Sequence, residues 1–183
     1  MIKYIAKFLM WLGGWKYAGV LPEEKKAVII SVPHTSNWDF FWGELAFLSQ
    51  RIPAFILMKK ELFFFPLGAI LRALRVIPVD RGNRDSQLVE QMVEEFRKRD
   101  TMYLCITPEG SRQKRKKWKK GFLVIAQAAG VPVYLGRIDY RAKTCTVGPL
   151  FHLTGDVDAD LAAIMQTYRD ACPKYPDQFS CGE

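Results

Sequence analysis

The stretch AVIISV, residues 27–32, constrains this chain more than any other, because it is apolar throughout except for one serine and is dominated by β-branched side chains. A strand with one face in water alternates polar and apolar residues, whereas an unbroken apolar run fits a strand covered on both faces. MYLCI at 102–106 has the same character, and apolar runs at 54–58, 76–79, 131–138 and 144–147 read as further strands. Helical stretches separate them: 39–50, 61–74 despite Pro66, 85–99, 121–129 and 158–170. The third of these runs places Leu88, Met92, Val93 and Phe96 on one side. Strands alternating with helices predict an α/β fold with a mixed, largely parallel sheet flanked by helices. Sites in such sheets form at the carboxyl ends of strands, where His34, Arg81 and Glu109 all fall.

With 183 residues and no linker or repeat, residues 1–183 read as one domain. A net charge of +8 favours anionic partners: nucleic acid, anionic lipid, or a phosphorylated substrate. The four cysteines show no CxxC spacing and read as reduced thiols, with neither a zinc site nor a disulfide expected. The longest uncharged run near the N-terminus, 8–15, falls far short of the roughly 20 residues that span a bilayer. No small-residue cleavage site follows it, which argues against a signal peptide. Ile2, Ile5, Leu9 and Leu12 follow helical spacing, with Lys3 and Lys7 on another face and Trp11, Trp15 and Tyr17 nearby. That pattern suits a membrane-interface helix within residues 1–20, and it equally suits a helix packed on its own domain.

His34 follows the AVIISV strand directly, and Asp39 lies five residues on. If the chain turns through 35–37 into a helix, the Asp39 carboxylate can reach the imidazole Nδ1 and leave Nε2 free to accept a proton. Alternatively, Asp39 is an acidic residue favoured by a helix N-terminus, and His34 simply ends a strand. Spacing alone favours the second reading. The strand-like RVIPVDR at 75–81 ends in Arg81, whose planar guanidinium suits a phosphate, although a surface arginine in a polar turn is the commoner outcome. A third strand ends in Pro108, Glu109 and Gly110, ahead of a basic run over 112–120 that contains Trp118. Such a run is usually solvated, but with a tryptophan inside it could press on anionic headgroups or nucleic-acid phosphates.

Taken together, these segments resemble the glycerophospholipid acyltransferases. His34 and Asp39 fit the family's HxxxxD block, and 75–81 resembles its hydrophobic strand ending in Asp-Arg. Pro108-Glu109-Gly110-Ser111-Arg112 looks like its Pro-Glu-Gly-Thr/Ser-Arg block, and Lys120-Gly121 and Val131-Pro132-Val133 match its later signals. The sequence departs from the pattern at Pro33, where Asn is frequent, and at Thr107, where Phe is common. The resemblance implies that His34 is a general base and Asp39 its orienting carboxylate. It implies that Arg81, Glu109, Gly110, Ser111 and Arg112 bind a phosphate-bearing acceptor. The implied reaction moves a fatty acyl group from acyl-CoA or acyl-carrier protein to a lysophospholipid hydroxyl, most closely that of 1-acylglycerol-3-phosphate. A thioester is already activated, so no metal or cofactor is expected. The expected setting is the cytoplasmic face of a membrane, as a peripheral or monotopic protein on an anionic surface, with no nucleic-acid partner. The competing readings are a nucleic-acid-binding module built on 112–120 and a thioesterase that uses His34 to activate water.

Overall fold

The computed structural model describes residues 1–80, 85–115 and 117–181. Helix α1 (Ile2–Leu12) leads into the two-residue strand β1 (Lys16–Tyr17), then β2 (Lys26–Val32) and α2 (Asn37–Gln50). Strand β3 (Ala54–Lys59), helix α3 (Leu67–Ala73), strand β4 (Val76–Val79) and helix α4 (Asp85–Lys98) follow. The chain continues through β5 (Met102–Ile106), α5 (Gly121–Ala129), β6 (Val133–Asp139), β7 (Thr144–Phe151) and α6 (Val157–Gln166). The seven strands form one sheet in the order β1-β7-β6-β2-β5-β3-β4. Every pairing is parallel except β6 with β7, so the expected α/β architecture is present, with helix α1 at its start.

The runs that are apolar throughout occupy the centre, where both faces are covered. Val28, Ile30 and Val32 of β2 point to one side and pack with Leu104, Leu135 and the helical residues Met92, Phe96, Phe122, Ile125 and Ile164. Ala27 and Ile29 point to the other side and meet Cys105, Tyr134 and Phe47 of α2. Helix α1 sits outside α2, burying Ala6 and Met10 beside Leu45 and Ala46. Strands β2 and β5 are adjacent and in register, Ile30 opposite Ile106, so the loops that follow them leave the sheet side by side.

Two expectations need correction. Residues 61–74 are not one helix: a 3₁₀ turn at Lys60–Leu62 and helix α3 are separated by Phe63, Phe64 and Phe65 in non-helical backbone. Pro66 explains the break, since proline disfavours helical geometry in the residue before it and is tolerated where a helix begins. The last strand also runs further than 144–147, pairing antiparallel with β6 as far as Phe151.

Candidate active site

The turn between β2 and α2 is built by its own polar groups. Ser36 caps α2, its hydroxyl accepting the Trp38 N–H at 3.2 Å. Asp39, in the first turn, returns the favour: its Oδ2 accepts the N–H groups of Ser36 and Thr35, each at 2.7 Å. Such reciprocal capping satisfies donors that a helix start leaves open. The same Oδ2 lies 3.3 Å from His34 Nδ1. Oδ1 accepts the hydroxyl of Tyr140 at 2.6 Å. The two readings of Asp39 are therefore not alternatives, because one carboxylate caps the helix and faces the imidazole. The Asp39 side chain is 2% exposed and that of His34 20%, so the ring opens to solvent while its partner does not. Among the described residues, none hydrogen-bonds His34 Nε2.

The neighbouring loop braces the histidine. Glu109 is buried, and its Oε1 accepts the His34 backbone N–H at 2.7 Å. Burial, with the Asp39 charge adding and the His34 N–H opposing, pushes the Glu109 carboxyl up to about 8. Gly110 takes a left-handed φ of +68°, a conformation that a side chain would strain, and lets the chain turn outward. Ser111 Oγ donates to the Gln113 carbonyl at 3.2 Å and accepts from Arg115 Nε at 3.3 Å. Arg112 is exposed and donates to the Asn37 side chain, the first residue of α2. The structure thus brings His34, Asp39, Glu109 and Arg112 to one end of two adjacent strands. Arg81 lies outside the described residues. The strand that leads to it, β4, stands three places from β2 in the sheet, roughly 14 Å at ordinary strand spacing. Asp80, the residue before it, pairs with Lys60.

Three contributors went unseen in the sequence. Tyr140 belongs to no motif; its one signal is its place directly after β6, the other neighbour of β2. Arg137 sits opposite Val32 but is engaged with Asp170 at 2.9 Å and lies over the Tyr168 ring at 5.4 Å. The third is the C-terminal return. Tyr175 N–H donates to Thr35 Oγ1 at 3.3 Å, and Trp118 Nε1 donates to the Ser180 carbonyl at 2.9 Å. Trp118, read from its basic surroundings as able to press on headgroups or nucleic-acid phosphates, is buried beside Tyr168 and Phe179. The basic run therefore hangs from an apolar anchor and presents no ring for stacking on a base.

A family model described as Acyltransferase matches residues 16–135, well over half of the chain. The chain belongs to the glycerophospholipid acyltransferase family. No curated protein and no solved structure matches it. The matched segment begins at β1 and ends inside β6, so it covers the loops carrying His34, Asp39, Glu109 and Arg112. Acyl transfer, a reaction of the transferase class, is the activity that this membership supports. Among the described residues, no group of three or more His, Cys, Asp or Glu side chains is placed to hold a metal ion.

Proposed function

We propose that this acyltransferase moves a fatty acyl group from a thioester, acyl-CoA or acyl-carrier protein, to the hydroxyl of a lysophospholipid, most closely 1-acylglycerol-3-phosphate. The observation that carries the reading is the partly open imidazole of His34 beside the buried carboxylate of Asp39, next to an exposed arginine. His34 Nε2 takes the proton of the acceptor hydroxyl as its oxygen attacks the thioester carbonyl. Asp39 holds the ring and stabilises the imidazolium, a contribution worth about 10²–10⁴ in rate for a positioned general base. The tetrahedral intermediate collapses with expulsion of the thiolate, which the imidazolium protonates. Arg112, and Arg81 by family resemblance, bind the acceptor's phosphate, where a guanidinium fork fits two oxygens at once. Glu109, Gly110 and Ser111 shape the loop that presents Arg112.

Both substrates carry long apolar chains, and the surface offers places to meet a bilayer. Ile5, Phe8, Trp11 and Leu12 of α1 are exposed, and so are Phe64 and Phe65, the latter to 91%. Lys7 and Lys16 line a groove of about 320 Å³ with Trp11. No helix among the described residues is long and apolar enough to cross a membrane. These features support attachment to one face of an anionic membrane, which on this reading is the cytoplasmic face. Phe8→Ser with Trp11→Ser should lower sedimentation with phosphatidylglycerol vesicles several-fold; unchanged binding would remove this part of the proposal.

The decisive experiment is mass spectrometry of products formed by wild-type protein and His34→Ala from mixed acyl thioesters and a lysolipid panel. Wild-type protein should yield a diacyl product whose formation falls at least 100-fold in His34→Ala. Free fatty acid in place of a diacyl product would point instead to a thioesterase. Full-rate product in His34→Ala would refute the base.

A further inference from the structure

Tyr140 lies beyond the segment that matches the family, on the first residue after β6. Asp39 nevertheless depends on it. Oδ2 is held by the Thr35 and Ser36 N–H groups, and it is the oxygen that faces His34. A carboxylate gripped through one oxygen can still turn about its last bond, because such sp³–sp² torsions have broad minima. The Tyr140 hydroxyl, 2.6 Å from Oδ1, grips the other oxygen and removes that freedom. The 3.3 Å between Asp39 Oδ2 and His34 Nδ1 exceeds the roughly 2.7–2.9 Å of a tight charge-assisted bond, so a small rotation decides whether the contact closes.

Tyr140 is itself held on several sides. Its N–H donates to the Cys172 carbonyl at 2.9 Å, and the turn after it closes through the Ala142 N–H on Asp139 Oδ1 at 2.8 Å. Its ring meets the Trp15 ring edge-on, centroids 4.9 Å apart. Trp15 is buried and stacks at 5.0 Å on Trp42, which lies about one turn along α2 from Asp39. The chain reaches this position through two glycines. A Cβ on Gly13 would sit 2.3 Å from the Trp42 ring, and Gly14 adopts a left-handed φ of +73°. Burial, together with the hydrogen bond to Asp39 and the charge of that group, pushes the Tyr140 phenol well above its ordinary value, so it stays a donor.

We propose that Tyr140 is a positioning residue of this site: its hydroxyl fixes the Asp39 carboxylate toward His34, and the Gly13-Gly14-Trp15 turn holds Tyr140, coupling the seating of α1 to the orientation of the base. The functional consequence rests on His34 being the base, as argued above; the geometric claim does not.

The chain has only two histidines, so nitrogen NMR of full-length protein labelled at histidine reads the His34 ring directly, with His152→Gln assigning the other signals. Wild-type protein should carry the ring proton on Nδ1, facing Asp39. Tyr140→Phe keeps the ring against Trp15 yet should mix the two tautomers. With palmitoyl-CoA and 1-acylglycerol-3-phosphate it should also lower kcat about 10- to 100-fold at unchanged KM. Trp15→Leu keeps the hydroxyl and should shift the His34 signals in the same direction by less; it carries the test should Tyr140→Phe not fold. A folded Tyr140→Phe protein with the wild-type His34 spectrum overturns the proposal, whatever its thermal stability. An unchanged spectrum in Trp15→Leu overturns the coupling to α1. Full turnover in His34→Ala would instead sink the base, while the effect of Tyr140→Phe on the ring would still be measured.

Discussion

The loops after β2 and β5 leave the sheet as neighbours, yet they are constructed differently. After β2, the N–H groups of His34, Thr35 and Ser36 are all bound by acidic side chains, and the residue that binds two of them is almost fully buried. After β5, that order lasts only to Glu109; residues 112–115 are exposed, and the loop regains the core only at Trp118. The difference separates two requirements. A group that removes a proton must be held within a fraction of an ångström, because a misplacement of about 1 Å can cost 10²-fold in rate. A group that gathers a charged headgroup needs reach and water around it. Glu109 belongs to the second loop in sequence and to the first in function, since it fixes the main chain of His34.

Four measurements probe this division. The largest effect should come from Asp39→Asn, which can still accept from Thr35 and Ser36 but no longer carries the charge that steadies an imidazolium. Turnover should fall on the order of 10³-fold or more while circular dichroism stays unchanged. Loss of fold along with activity would mean that capping outweighs catalysis at Asp39. Next is Trp118→Ala, which empties the anchor of the basic loop. Urea unfolding should show a loss of about 3–5 kcal/mol, with turnover per folded molecule preserved. Arg112→Ala should raise the KM for a phosphate-bearing acceptor about 10-fold, as expected for one charge-assisted hydrogen bond, and leave the donor KM unchanged. If both KM values rise together, Arg112 is not specific to the acceptor.

The smallest effect concerns pH. Glu109 is raised to about 8 and Glu44 to about 7, both chiefly by burial, against an ordinary value of 4.5. The folded chain therefore binds more protons than the unfolded chain across this window, and stability falls as pH rises from 4.5 towards 8. Melting temperature should drop over that range, and Glu109→Gln should flatten its upper part. A melting curve that rises with pH in the wild type would contradict the burial of these two groups.

What the sequence disclosed follows from how locally each feature is determined. Double-sided burial is written into AVIISV itself, so the central strands, and with them the positions of His34 and Glu109, were legible. The helix break at Pro66 was local too, but the expected helix over 61–74 was carried through that proline. Trp118 was misjudged because its neighbours in sequence are lysines, while those that bury it, Tyr168 and Phe179, come from far along the chain. Tyr140 could not have been found by periodicity. Its role depends on β6 lying beside β2 and on a hairpin turn after it, both products of long-range pairing.

The short strand β1 has a consequence for how the protein is made. It joins the sheet only through β7, with Lys16 paired to Thr144. During synthesis, α2 can receive Ala6 and Met10 as soon as it emerges, but the strand that captures Lys16 and Tyr17 follows every other strand of the sheet. Contacts of such wide sequence separation form late. The link between α1 and the sheet therefore stays unlatched until β7 has emerged, and the last strand of the sheet completes its first.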